Sequence, residues 1–300
     1  MILVIGGTAH FGRQTVETLA NAGRPVRVLS RDPERAGLPK GVEVVRGDLA
    51  DPSTLAPALR DVTELFLVLP YGMDAQPLLE QAREAGVQHV VFLSSGAVVD
   101  GADPQPDVIA DYHAGVEREI RATGMDWTFL RLFFPAINSL AWAMQLQSGD
   151  VVRGPYAAAA ASVVHERDVA EAAAAVLGSA EHAGRVYELT GPQSLTQTDQ
   201  LGVLGLALGR KLSFEELPDQ DVRQQLSQFM DAAFVGALLD LMAATVGKPA
   251  ALNDIVERLT GHPARPYAQW AEDHHVEDPG AFARSSSIHG AALGPSGVGQ

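Results

Sequence analysis

At 300 residues, with 46% apolar and 20% charged side chains, the chain is long enough for a substantial core, as one large domain or a domain with a smaller lobe. Its net charge of −15, with Lys40, Lys211 and Lys248 as the only lysines, argues against a nucleic-acid surface, which needs clustered cations. The absence of cysteine excludes disulfides and thiolate chemistry, and no apolar run approaches the roughly 20 residues that span a bilayer.

The chain enters an apolar run, Ile2 to Ile5, directly, leaving no space for a signal peptide. A cytoplasmic protein acting on a small molecule, with no nucleic acid or membrane as partner, is therefore expected. Gly6-Gly7-Thr8-Ala9-His10-Phe11-Gly12 follows as a turn, then a helix from Gln14 to Ala22 stopped by Gly23, then a second apolar run, Val26 to Leu29. Strand, glycine turn, helix and strand form a dinucleotide-binding unit. The free N–H groups at the helix start and the helix dipole both favour a pyrophosphate. Ala9 stands where a middle glycine is usual, which would reduce close backbone approach without abolishing binding.

The end of the second strand is where such sites choose between cofactors: a carboxylate there binds a ribose 2′-OH, and an arginine accommodates a 2′-phosphate. Arg31 occupies that place, with Arg13 and Arg35 near it, so NADP(H) is expected and NAD(H) is less favoured. Asp32 is a competing carboxylate, or a cap for the short turn that Pro33 opens.

Glycines 41 and 47 bound a third strand, and Asp48-Leu49 follow at its carboxyl end, where Asp48 either turns the backbone or borders the adenine. A helix over 54–59 and a fourth strand over 64–69 come next. Pro70 and Tyr71 then stand on the ligand side. A helix over 76–85 leads to a fifth strand over 87–93, ending in Ser94-Ser95, whose hydroxyls either bind a ribose or satisfy local backbone.

An amphipathic helix over 111–122 carries Tyr112, His113 and Glu117, and a sixth strand, DWTFLRL, covers 126–132. Phe133, Phe134, Asn138 and Trp142 after it either line a substrate pocket or pack in a core. The stretch 149–162 reads as a loop, 163–165 as a brief strand, 167–177 as a helix and 185–190 as a last strand. Helices are expected over 196–208, 219–230, 232–245, 250–259 and 267–274, with an isolated strand over 211–217. His274-His275 lacks a ligand set and is expected to be solvated, so no metal site is supported.

Five strand–helix units predict an α/β fold, a doubly wound parallel sheet (Rossmann-type). The expected division is a dinucleotide-binding domain over 1–190, a smaller, mostly helical C-terminal lobe over 191–282, and a disordered tail over 283–300.

The stretches GGTAHFGR, VRVLSRDPER, VEVVRGDLADP, HVVFLSSGA, HAGVEREIRATGMDWTFLRLFF, VVHERDVAEAAAAVL, YELTGP and LTGHPARPYAQWAEDH together resemble the atypical short-chain dehydrogenase/reductases, in particular the NmrA-like NAD(P)-binding proteins. The resemblance runs from residue 1 to about 275. It implies an NADPH-binding Rossmann-type domain, a C-terminal substrate lobe and a cleft between them. Typical short-chain dehydrogenases pair a Tyr with a Lys four residues later. Four residues after Tyr71, Tyr112, Tyr156, Tyr187 and Tyr267 stand Ala75, Val116, Ala160, Gly191 and Ala271, so no such pair exists.

His113 falls where related reductases carry Lys or His, making it the candidate proton donor, with surface exposure as its competing reading. Tyr71 and Ser95 would border the nicotinamide ribose. Two functions follow: an NADPH-dependent reductase of a small aromatic, quinone-like or carbonyl compound, or a non-catalytic NADP(H)-binding sensor. A homodimer is compatible with either.

Overall fold

The computed structural model describes residues 1–274. The expected tail over 283–300, the last residues of the expected lobe and His275 lie outside the described residues. β1 (Ile2–Ile5), β2 (Val26–Ser30), β3 (Glu43–Arg46), β4 (Glu64–Leu67), β5 (His89–Ser95) and β6 (Asp126–Leu132) are joined through α1 (His10–Asn21), α2 (Ala56–Leu59), α3 (Gln76–Glu84) and α4 (Val108–Ala122). They form a sheet of order β3-β2-β1-β4-β5-β6, extended at the β6 edge by β9 (Arg185–Glu188), with every pairing parallel. The direction of winding reverses at β1, which opens a crevice at the carboxyl ends of β1 and β4.

The central strands are apolar throughout because both faces are covered. Leu3 and Ile5 point into one cluster with Leu59 of α2, Leu79 of α3 and Ile120 of α4. Ile2 and Val4 point into the other with Val16 and Leu19 of α1, Val169 and Val176 of α6 (Glu166–Val176), and Val256 of α10 (Ile255–Thr260). Each such fully buried aliphatic side chain contributes about 1.5–3 kcal/mol of burial energy.

A third cluster lies beyond β6. It joins Ile137 and Leu140, with Leu146 of α5 (Ala143–Leu146), to Leu201 and Leu204 of α7 (Gln197–Ala207) and to Tyr267 and Trp270 of α11 (Tyr267–Asp273). α8 (Asp219–Leu226) and α9 (Ala232–Ala243) pack together, and Phe234 and Ala237 of α9 meet Ile109 and Ala110 of α4.

Several local expectations change. The stretch read as a loop over 149–162 contains β7 (Val151–Gly154) and β8 (Ala160–Ala161). The strand over 211–217 is not isolated: β11 (Ser213–Glu216) pairs parallel with β7, and β8 pairs antiparallel with β10 (Leu195–Thr196). Residues 163–165 make one bridge, Val164 to Pro135, and no strand, because His165 turns to cap α6 by accepting the Arg167 N–H. The helix expected from Ala250 begins at Ile255. Before it, Ala250 N–H donates to Ser194 Oγ, and Asn253 is tied to Thr190 and Glu188, which spends those backbone groups outside a helix.

Candidate cofactor and active site

The turn between β1 and α1 is built for close approach. Gly6 has φ +76°, and a Cβ on it would stand 2.9 Å from the Val68 carbonyl oxygen. A Cβ on Gly12 would stand 2.2 Å from the Gly6 carbonyl oxygen, so only glycine lets the first turn of α1 lie against the end of β1. Ala9 is the N-cap residue, its extended backbone ordinary for an L-residue. It offers no side-chain acceptor, and the first turn contains no carboxylate. No capping side chain or carboxylate therefore competes with an anion at this helix end. Thr8, His10 and Phe11 are half-buried around this end.

At the end of β2, Arg31 is exposed and its guanidinium has no ion-pair partner among the described residues, while its carbonyl accepts from Arg46. Asp32 is bridged by Arg35 at 3.6 Å. Arg13 is spent on the carbonyls of Ala36 and Gly37, at 2.7 and 2.8 Å. Of the three arginines singled out from sequence, Arg31 alone keeps its cation uncommitted. Asp48 holds its own turn by accepting the Ala50 N–H at 3.0 Å, and Leu49 packs half-buried on the first core cluster.

Across the crevice, Pro70 accepts at 2.9 Å from the Tyr112 hydroxyl, which is also 3.0 Å from the Met73 carbonyl. Burial pushes the Tyr112 hydroxyl well above its ordinary pKa. Tyr71 packs against Tyr112 with centroids 5.1 Å apart and against Phe234 of α9 at 4.7 Å. The Tyr71 hydroxyl is also raised, by burial first and then by Asp231, Asp107 and Asp111. Ser94 and Ser95 separate: Ser94 is buried and donates to Glu117, while half-buried Ser95 accepts the Ala97 N–H at 3.1 Å and keeps its own proton to donate.

His113 is half-buried, stacked on Phe92 with centroids 6.1 Å apart. Its Nδ1 donates to the Ile109 carbonyl at 2.8 Å, so in the neutral ring Nε2 carries the lone pair. Burial holds this imidazole below its ordinary pKa, against opposing pulls from the Ile109 carbonyl, Glu117 and Asp107. The ring is thus a hydrogen-bond acceptor near neutral pH and a proton donor only after it has been charged.

Beneath His113 lies a group that sequence reading did not single out. Glu117 and Arg131, 1% and 2% exposed, form a two-pronged pair with contacts of 2.9 and 2.7 Å. Ser94 donates a further hydrogen bond to Glu117 at 2.7 Å, and Arg131 donates one to Asp100 at 2.8 Å. The pair locks α4 to β5 and β6. The signal in the sequence was Arg131 itself, a cation inside the apolar strand DWTFLRL, where burial demands a partner.

After β6, Phe133 is 53% exposed and covers Gly96, where a Cβ would meet its ring at 2.4 Å. Phe134 lies 6.5 Å from it, centroid to centroid, and packs on the third cluster. Asn138 is exposed, whereas Trp142 turns away to meet Phe214 edge-on. The strand ends therefore bring the glycine turn, Arg31, Pro70, Tyr71, Ser95 and Phe133 to one edge of the sheet, and Trp142 belongs to the packing of the outer cluster.

His274 is not solvated as expected. Its Nε2 lies 2.6 Å from Glu166, which is buried. Asp168, Glu171 and His262 also bring potential ligand atoms within 4.8 Å of one another. Arg265 binds both carboxylates, so the cation of that group is already supplied by the chain.

Fold, glycine turn and crevice define a dinucleotide-binding protein of the Rossmann type. The NmrA-like family model matches residues 1–262, and the chain belongs to that family. A (4-alkanoyl-5-oxo-2,5-dihydrofuran-3-yl)methyl phosphate reductase of Streptomyces griseus is 38% identical, over 91% of this chain and 98% of the relative. An NAD(P)H azoreductase of Xenophilus azovorans is 31% identical, over 91% and 98%. The crystal structure of an NADPH-dependent quinone oxidoreductase from Escherichia coli complexed with NADPH matches with TM-score 0.75, at 25% identity over 91% of this chain and 99% of that one. Membership of this family, with named reductases 31–38% identical over most of the chain, bears out the expectation of an NAD(P)H-dependent oxidoreductase. Among the described residues, no helix is long and apolar enough to cross a membrane.

Proposed function

We propose that this protein is an NADPH-dependent reductase of small conjugated acceptors, quinone-like or related electron-poor carbonyl compounds. The observation that carries this reading is the state of His113: a neutral ring whose Nδ1 proton is committed to Ile109, in a chain with no Tyr-Lys pair. A simple ketone needs a proton donor as hydride arrives. A conjugated acceptor spreads the incoming charge over its own π system, so a site without a strong acid can still reduce it.

The residues present fit the dinucleotide. Gly6, Thr8, His10, Phe11 and Gly12 would hold the pyrophosphate, Arg31 the 2′-phosphate, Asp48 and Leu49 the adenine side, and Pro70 the nicotinamide end. Bound there, NADPH supplies the hydride. Tyr71 and Ser95 would orient the ribose and the acceptor, and His113 Nε2 would accept a hydrogen bond from a hydroxyl in the site. The reduced oxyanion takes its proton from solvent or from the charged form of His113. Phe133 and Phe134 would give the acceptor an aromatic surface, with exposed Asn138 beside them.

On this reading residues 1–190 carry the cofactor and the segment from 191 onward shapes the substrate side. The two reductases named above and the quinone oxidoreductase support the reaction class without naming this chain's substrate. Mixing the protein with NADPH and a panel of quinones and conjugated ketones, and following loss of the reduced-nicotinamide absorbance, tests the reading. Turnover of at least one acceptor class is expected; tight NADPH binding with no turnover anywhere on the panel would favour the sensor.

A further inference from the structure

The acidic face of α6 is strapped to the last described segment of the chain. Arg265 binds Asp168 and Glu171, His262 approaches Glu171 at 2.6 Å, and His274 approaches Glu166 at 2.6 Å. The His274 contact has side-chain exposures of 22% and 2%, and the same Glu166 has His165 Nδ1 3.5 Å from its other oxygen, both side chains almost wholly buried. Its other nitrogen, Nδ1, is 2.9 Å from the Trp270 carbonyl. A carbonyl accepts only, and so does an ionised carboxylate, so when Glu166 is ionised both ring nitrogens donate and the ring is an imidazolium.

The imidazolium stacks on Trp270, with centroids 4.6 Å apart, and Trp270 stacks on Tyr267 at 5.3 Å. The Tyr267 hydroxyl donates to Ser139 Oγ at 2.7 Å in a buried contact. Ser139 lies inside the short helical segment Ala136–Trp142 that follows Phe133 and Phe134. One line of contacts thus runs from Glu166 through α11 to the wall beside the proposed pocket.

We propose that His274 is a positioning residue for the substrate side of the site: held between Glu166 and the Trp270 carbonyl, it clamps α11 onto α6, and through Trp270 and Tyr267 fixes the Ala136–Trp142 wall. This rests on the reductase reading above, because it assigns that wall to substrate.

The surrounding charges are accounted for. On the α6 side stand Glu166, Arg167, Asp168 and His165. His165 accepts the Arg167 N–H at Nδ1 and so is neutral, donating from Nε2 toward Asp273 at 3.3 Å. Asp273 on α11 is also bridged by Arg167 at 3.0 Å, and Asp168 by Arg265. On the far side of α11, α7 offers only Asp199, which is held in its own capping box. Deprotonating His274 would leave Glu166 without a cation and with its second oxygen already lacking a hydrogen bond. Burial disfavours the charged ring, but the Glu166 hydrogen bond and charge, with help from the Trp270 carbonyl and Asp273, outweigh it and raise its pKa. The clamp is therefore complete where Glu166 is ionised and His274 charged, from above the lowered Glu166 pKa through neutral pH, and opens as pH rises through the raised His274 value.

Two measurements test this separately from the reductase reading. A charged imidazole against an indole quenches its emission, so Trp270 fluorescence, taken as wild type minus Trp270→Phe, should rise with a midpoint above pH 6.5 and should not titrate in His274→Gln. This needs no turnover, and a flat Trp270 signal would overturn the clamp even if the enzyme reduces quinones. Loss of all turnover in wild type would instead overturn the reductase reading alone.

With an accepted quinone, His274→Gln should raise KM about fivefold with kcat and NADPH affinity little changed. Wild-type KM should climb over the same pH range as the fluorescence. His274→Arg, a permanent cation, should keep the low KM and flatten its pH dependence. Tyr267→Phe, which leaves the clamp intact, should raise KM without moving the fluorescence midpoint. Wild-type KM in both Gln and Phe variants, or a pH-independent wild-type KM, would overturn the positioning role.

Discussion

Arg31 and Asp32 stand side by side at the end of β2, and their partners decide what each can do. Asp32 is answered by Arg35, whereas the Arg31 guanidinium is left to solvent. A charge-assisted contact to a phosphate is worth about 1.5–3 kcal/mol, so Arg31→Ala should weaken NADPH at least about tenfold and NADH by much less. Equal losses in titrations of the two cofactors would contradict the 2′-phosphate role. At His113 the relevant quantity is the lone pair on Nε2. Burial lowers its pKa, so the neutral form persists until the pH falls below the ordinary imidazole value, and an acid limb in kcat/KM is expected there. His113→Ala should remove that limb; an unchanged profile would take the ring out of the site.

Reading such roles from sequence has a physical limit. Arg31 could be found because it directly follows a strand end, and His113 because its place in α4 matches the family resemblance. The tautomer of His113 and the desertion of Arg13 to the Ala36 and Gly37 carbonyls depend on contacts made only after folding.

The elements differ in how openly they declare themselves. β1, β2, β4 and β5 are buried on both faces, so their apolar runs identify them. β11 is exposed along most of its length, β7 is four residues with only Val152 fully buried, and the two pair across about sixty residues, so no local period marks them. α4 declares its amphipathic face but not its anchor, since Glu117 reads as an ordinary surface acid until Arg131 meets it. Breaking a buried pair by removing one partner costs about 3–5 kcal/mol, because the other charge stays behind. Arg131→Met should therefore lower unfolding stability in urea by that amount, and adding Glu117→Gln should recover part of it. Additive losses would contradict the pairing. Gly12→Ala should be worse for binding than for its size, because the methyl group would enter the space of the Gly6 carbonyl. Loss of measurable NADPH affinity by calorimetry is expected, and wild-type affinity would contradict the close approach of α1 to β1.

At the scale of the molecule, a wound parallel sheet gathers the ends of seven strands on one edge, and a helical layer lies beyond β6. That arrangement was legible because repeated strand–helix units allow few topologies. The strapping of α6 to the C-terminal segment was not, because its partners lie about a hundred residues apart. Hydride transfer in a site without a strong acid is the proposed chemistry. The most direct test is the steady-state rate of NADPH oxidation with a quinone and with a simple, unconjugated ketone of similar size. Rapid reduction of the quinone and little or none of the ketone is predicted. Equal reduction of both, or reduction of the ketone alone, would contradict it.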